Sequence, residues 1–256
     1  METVRFERQG TTALITLERP EVRNCVDGQT ASELSDAFRL FEREESLSVA
    51  VLTGSGGCFC AGADLKAISQ GAGNVVSRHG DGPMGPTRML LSKPVIAAVE
   101  GYAVAGGLEL ALWCDLRVAA RDAVFGVYCR RWGVPLVDGG TVRLPRLVGQ
   151  SVALDMILTG RPVMGEEAQR VGLANRLVEK GGSLAGAMAL AEDLAGFPQL
   201  CLRADRYSAL SQWSLDLDTA LLEETRRGQE VIRSGETRAG ASRFERGAGR
   251  HGDFSD

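Results

Sequence analysis

Two glycine-rich segments limit what this chain can be. The first reads Cys60-Ala61-Gly62-Ala63-Asp64-Leu65, and the second Gly101-Tyr102-Ala103-Val104-Ala105-Gly106-Gly107-Leu108-Glu109-Leu110. Each joins a β-rich apolar run to a predicted helix start, where backbone N–H groups have no intrahelical acceptor. Two such donors aimed at one carbonyl oxygen make an oxyanion hole, the device of an enzyme that acts on an activated carbonyl. Gly106 sits where a helix begins, so the helix dipole adds positive potential at its N–H. Small residues at Ala61, Gly62, Ala63, Ala105 and Gly107 let a substrate approach the main chain closely. Either segment alone also reads as an ordinary turn; the pair, followed by Glu109, points to chemistry. Glu109 lies between Leu108 and Leu110. An apolar setting moves a carboxyl pKa towards neutrality and suits acid–base work. The same residue also reads as a first-turn acid that complements the helix dipole.

The flanking pattern is mixed. Residues 2–8 and 11–17 predict a β-hairpin turning at Gly10, with Ala13, Ile15 and Leu17 alternating. Asp27 is the predicted N-cap of a helix over 28–45, where Leu34, Phe38 and Phe41 keep helical spacing. Short buried strands are predicted at 49–53, 95–99, 116–119 and 124–126, and a helix at 106–113. Asp64 is expected to cap a helix after the first glycine segment. Residues 70–86 are rich in glycine and proline and predict a loop. Strands alternating with helices make this part α/β. Beyond about residue 140 the pattern predicts helices only, over 142–147, 150–158, 165–171, 183–195, 198–211, 215–234 and 236–246.

Hydrophobic residues at 44% support a real core, and a net charge of −4 gives no reason to expect nucleic acid or a membrane surface as partner. No apolar run approaches the about twenty residues that span a bilayer. Cys58 and Cys60 lack zinc-ligand spacing and the only histidines are His79 and His251, so no metal is expected. Met1 leads into a polar strand pattern rather than a signal peptide. The six cysteines are therefore expected as reduced thiols in a cytoplasmic protein.

Taken together, these residues closely resemble the enoyl-CoA hydratase/isomerase (crotonase) family. The matching pieces are A-G-A-D-L at 61–65, K-P-V-I-A-A-V-E-G-Y-A at 93–103 and G-G-L-E-L-A at 106–111. They continue with C-D-L-R-V-A at 114–119, F-G-V at 125–127, G-G-T-V-R-L-P-R at 139–146 and L-T-G at 158–160. The resemblance implies an α/β crotonase-type spiral of ββα units over 1–195 with a C-terminal α-helical region over 196–256 used for trimerisation. It implies a homotrimer or homohexamer acting in fatty acid metabolism on an acyl-CoA thioester. Coenzyme A is then part of the substrate, and no cofactor is expected. By that likeness the N–H groups of Ala63 and Gly106 form the oxyanion hole, and Ala61, Ala63, Asp64, Leu65, Lys66 and Gly106 line the substrate. Arg23 and Lys66 are placed for coenzyme A phosphates, though each also reads as a solvated charge. Glu109 matches the first catalytic glutamate of the hydratases. The reaction implied is addition of water across a 2-enoyl-CoA double bond; an isomerase and a non-catalytic acyl-CoA binder are the alternatives.

One departure stands out. Hydratases of the family carry a second glutamate after F-G, and here F-G-V-Y-C-R-R-W-G puts Cys129 there. A thiol is a poor substitute for an acid that must handle a water proton, and free cysteine commonly packs as a small hydrophobe. Isomerases of the family often place their acid near P-x-x-x-G-G-T, where this chain has Asp138. Asp138 reads either as the second carboxylate or as an N-cap for the helix from 142. Tyr128, Arg131 and Trp132 flank the departure and read as acyl-pocket residues or as core. Arg243, Arg246, Arg250 and His251 form a basic stretch, for the coenzyme A of a neighbouring subunit or as a solvated helix end.

Overall fold

The structure, a computed structural model, describes residues 2–249. Strands β1 (Val4–Gln9) and β2 (Thr12–Leu17) form the antiparallel hairpin, turning at Gly10 with φ 58. Helix α1 (Gly28–Arg43) follows, and the Asp27 carboxylate accepts the Thr30 N–H at 2.9 Å as its cap. Leu34, Phe38 and Phe41 are fully buried on the inner face of α1. Next come β3 (Val49–Gly54), α2 (Leu65–Ser69), β4 (Val95–Val99), β5 (Tyr102–Val104), α3 (Gly106–Trp113), β6 (Leu116–Ala120) and β7 (Val124–Gly126). After them lie α4 (Gly140–Val148), α5 (Gln150–Thr159), β8 (Val163–Met164), α6 (Gly165–Arg170), β9 (Arg176–Val178) and α7 (Ser183–Gly196). The chain ends in α8 (Gln199–Ser211), α9 (Leu217–Ser234) and α10 (Glu236–Glu245).

The main sheet has the order β1-β2-β3-β4-β6-β9 and is parallel from β2 onward. Strands β2 and β4 are buried at every position, the continuous apolar pattern of a parallel sheet covered on both faces. A second sheet has the order β5-β7-β8. Cys60 adds a rung to it through a parallel bridge to Ala103. The chain therefore winds as a spiral in which each turn gives one strand to each sheet and then a helix or 3-10 turn. The turns are β3 with Cys60 and α2, then β4 with β5 and α3, then β6 with β7 and the 3-10 turn Tyr128–Trp132.

The expectation of helices only beyond residue 140 is corrected by β8 and β9. They span two and three residues, too short to show a period, and exist because β7 and β6 offer them free edges. Helix α4 also starts at Gly140, earlier than the pattern implies.

The chain divides into two compact units, Met1–Leu194 and Ala195–Asp256. The first contains both sheets and the main apolar core. In the second, α9 packs on α8 and α10, and its start is capped by Asp216 accepting the Thr219 N–H at 2.9 Å. Of that unit's described apolar residues only Val231 is buried, while Leu217, Leu222, Ile232 and Phe244 are exposed. Arg243 lies on α10 and Arg246 follows it; Arg250 and His251 lie outside the described residues. Among the described residues no helix is long and apolar enough to cross a membrane, and no group of three His, Cys, Asp or Glu side chains is arranged to hold a metal ion.

Candidate active site

The two glycine segments lie against each other, main chain to main chain. The Cys60 N–H donates to Tyr102 O at 2.8 Å, and the Val104 N–H donates to Cys60 O at 3.1 Å. A Cβ at Gly107 would overlap Cys60 O, and one at Gly62, where φ is +101, would lie 3.0 Å from Gly106 N. Between them Ala105 sits at φ 54, ψ −125, held by its N–H donating to Gly126 O at 2.9 Å. A positive φ in a residue with a Cβ costs about 1–3 kcal/mol and persists only when its surroundings enforce it. That bend starts α3 at Gly106. On the other segment, Val26 donates to Gly62 O at 2.8 Å and Asp64 donates to Val26 O at 3.0 Å. The N–H groups of Ala63 and Gly106, by contrast, have no acceptor among the described residues. Both residues line one cavity of about 830 Å³. Two fixed, unused donors in a mostly apolar cavity can stabilise charge that develops on a carbonyl oxygen.

Asp64 holds the first segment in place. Its carboxylate accepts the N–H groups of Lys66 and Ala67 at 3.1 and 3.2 Å, so it caps α2 as expected, and it pairs with Arg19 at 3.0 Å. Burial works to raise its pKa, but these donors keep it below the usual carboxylate range.

Glu109 is 2% exposed. Its Oε1 accepts the N–H groups of Asp138 at 2.9 Å and Gly140 at 2.8 Å, while Oε2 has no partner among the described residues. A purely dipole-complementing role does not account for this enclosure. Burial pushes its pKa up to about 7; the Gly140 N–H opposes the shift, the charge of Asp138 adds to it, and the Asp138 N–H and Arg143 oppose it.

Asp138 is also buried, and its Oδ1 accepts the Met84 N–H at 2.9 Å and a short hydrogen bond from Thr87 Oγ1. Burial raises its pKa against these donors and the charges of Arg88 and Arg143. The N-cap reading of Asp138 is therefore overturned. Gly139, at φ 93, precedes α4 with no side-chain cap, and the Asp138 carboxyl turns inward instead.

Arg23, Ala61, Ala63, Asp64, Leu65, Lys66, Gly106, Glu109 and Asp138 all line the same cavity, together with Tyr128, Cys129 and Trp132. Cys129 is 6% exposed, and burial, reinforced by the charge of Glu109, pushes its pKa up, so it is a neutral thiol. Arg131 is not among the lining residues; its guanidinium stacks on Tyr128 at 4.3 Å. Arg23 lies 5.3 Å from the Tyr102 ring centre and forms no ion pair among the described residues. Sequence reasoning missed Met84 and Thr87, which hold the Asp138 carboxyl, Gly140, which holds that of Glu109, and Arg143, which donates to the main-chain oxygens of Asp138 and Thr87. The one available signal was the Asp138-Gly139-Gly140 run, whose glycines admit close main-chain donors.

Comparison with known proteins bears on the family and the fold. The family model described as enoyl-CoA hydratase/isomerase matches residues 7–251. The chain is 34% identical over 245 residues to enoyl-CoA hydratase EchA19 of Mycobacterium tuberculosis, covering 93% of this chain and 91% of that protein. It is 37% identical over 238 residues to a carnitinyl-CoA dehydratase of Citrobacter koseri, covering 91% and 87%. Among solved structures, enoyl-CoA hydratase EchA1 of Mycobacterium marinum superposes with a TM-score of 0.90 at 38% identity, covering 95% of this chain and 96% of that one.

Proposed function

The chain belongs to the enoyl-CoA hydratase/isomerase family, and from that premise we propose that it is a hydratase, adding water across the double bond of a 2-enoyl-CoA thioester. The observation that carries this reading is Glu109, a buried carboxyl pinned through one oxygen, on the same cavity as two unused backbone donors. In the proposed reaction the thioester oxygen accepts from Ala63 and Gly106, which draws electrons from the β-carbon. Glu109 Oε2 takes a proton from water as the new O–Cβ bond forms. The π pair moves towards the thioester as an enolate, and a proton from Asp138 or from solvent completes the α-carbon. A pKa of about 7 suits a base working near neutrality. Arg23 and Lys66 meet the coenzyme A phosphates, and Asp64 and Leu65 shape the approach. The working form is a cytoplasmic homotrimer or homohexamer, with exposed apolar side chains of α8–α10 as its interface.

A second reading, an enoyl-CoA isomerase, is favoured by Cys129, since a proton shuttle between two carbons needs only one good carboxyl, Glu109 or Asp138. The deciding experiment is turnover of crotonyl-CoA with the product identified by mass, beside Glu109→Gln and Asp138→Asn. Addition of water, abolished in Glu109→Gln, is the expected result. Double-bond migration in a 3-enoyl-CoA without hydration would replace this reading with the isomerase, and binding without any product would make the protein an acyl-CoA binder.

A further inference from the structure

Arg143, on the first turns of α4, has no part in the scheme above. Its guanidinium returns to two main-chain oxygens: Nη1 donates to Asp138 O at 2.9 Å and Nη2 to Thr87 O at 2.7 Å. Thr87 and Asp138 are also the partners in the short hydrogen bond that anchors the Asp138 carboxyl. The N–H groups of Asp138 and Gly140, from the same turn, hold Glu109 Oε1. Gly139 makes this possible, because a Cβ there would overlap Arg143 Nη1. One side chain therefore ties the 3-10 turn Pro86–Arg88 to the turn before α4. A guanidinium offers two donors in a fixed plane for such a clamp, which an ammonium group does not.

We propose that Arg143 is the positioning residue of the Glu109–Asp138 pair, fixing the turn whose N–H groups pin Glu109 and placing a permanent positive charge before both carboxyls. The proposal rests on the reading that these carboxyls carry the proton transfers. The groups facing Glu109 are Asp138 from the turn, Arg143 from α4 and Cys129 from the 3-10 turn Tyr128–Trp132. Asp138 is faced by Thr87 and Arg88 from the other 3-10 turn and again by Arg143. Arg143 acts on both carboxyls, and itself has Cys114 and Arg146 beside it. Removing its charge disfavours both carboxylates, so the Glu109 midpoint moves upward.

The test compares Arg143→Gln, which loses charge and fork, with Arg143→Lys, which keeps only the charge. Glu109 is titrated by carbon-13 NMR of labelled glutamate, assigned by difference from Glu109→Gln, a readout that needs no turnover. In Arg143→Gln the midpoint rises by about one unit, as expected for loss of one nearby cation. On the 2-enoyl-CoA substrate, kcat falls about tenfold to a hundredfold with KM held within about threefold, because the pair is misplaced and binding is not. Arg143→Lys restores the midpoint and recovers only part of kcat. An unmoved midpoint, with kcat falling only as the folded fraction falls, overturns the proposal and leaves Arg143 a structural support. If Arg143→Gln does not fold, Arg143→Lys decides alone, and wild-type kcat there overturns the role of the fork. If Glu109→Gln keeps full turnover, the hydratase reading fails, while the NMR titration still reports on Arg143.

Discussion

Gly140→Ala is the smallest substitution that reaches the proposed base. Its Cβ would stand 2.9 Å from Glu109 Oε1, 3.0 Å from Cγ and 3.2 Å from Cδ. Unstrained contacts to carbon begin at about 3.5 Å, so the carboxyl must retreat by about half an ångström. Retreat stretches the two hydrogen bonds, at 2.9 and 2.8 Å, that fix Oε1. The main chain itself takes the change without strain, since Gly140 is not among the positive-φ glycines. The stability cost is that of modest overpacking, about 1–3 kcal/mol, seen as a fall in Tm of about 2–4 °C per kcal/mol for a chain of this size. The catalytic cost is of the same order, about 2.7 kcal/mol, because a misplaced base loses about a hundredfold in rate. Steady-state hydration of crotonyl-CoA, followed by loss of enoyl absorbance, is the assay, with kcat reduced and KM changed by less than about threefold. Gly28→Ala is the control, since it opens a helix into space with no atom within 4 Å. A Gly140→Ala enzyme with kcat within twofold of wild type would refute the idea that the pinned position of Glu109 sets the rate.

Two further outcomes concern stability. Glu109 titrates at about 7 in the fold against an ordinary 4.5, so its stabilising contribution is fully present below 4.5 and lost as pH rises through 7. Glu109→Gln escapes that loss, and its advantage over wild type should grow by up to about 3 kcal/mol between pH 5 and pH 8. Urea melts at both pH values measure this, and a difference constant with pH would contradict it. Arg117 is 1% exposed and donates to Leu173 O at 2.7 Å, Cys114 O at 2.9 Å and Asn175 Oδ1 at 3.0 Å. Arg117→Ala strands these acceptors and opens a void, which should cost about 3–5 kcal/mol in the same assay. A cost below about 1 kcal/mol would mean that water takes over the lost bonds.

The parts of the site legible in the sequence are the local ones. A strand running into glycines and then into a helix exposes N–H groups by its own geometry, so Gly106 follows from its neighbours in the chain, whereas Ala63 comes only from the family resemblance. The caps Asp27 and Asp64 follow in the same way, each bonded within three residues. Glu109 is half legible: Leu108 and Leu110 announce its burial, but the donors that fix it come from Asp138 and Gly140 across the fold. The role of Asp138 depends on Thr87 and Met84, in or beside a stretch without periodicity that reads only as a loop. Arg143 reads as one more charge on an amphipathic helix, because nothing in its neighbours says that the side chain folds back inward. Strands β8 and β9 are products of pairing rather than of their own composition.

The cavity has two kinds of lining. At Ala63 and Gly106 it is backed by main chain packed so closely that neither Gly62 nor Gly107 has room for one more carbon. Around Tyr128, Trp132, Val134 and Val137 it is lined by larger side chains, of which Trp132 is 69% exposed. For a gene under drift the first region is closed ground, since almost any coding change there is purged with the fold. The second is open ground, where a single codon can enlarge or narrow the space and leave the backbone donors untouched. Lineages descending from this chain can therefore diverge in the molecules they accept far more readily than in the reaction they run.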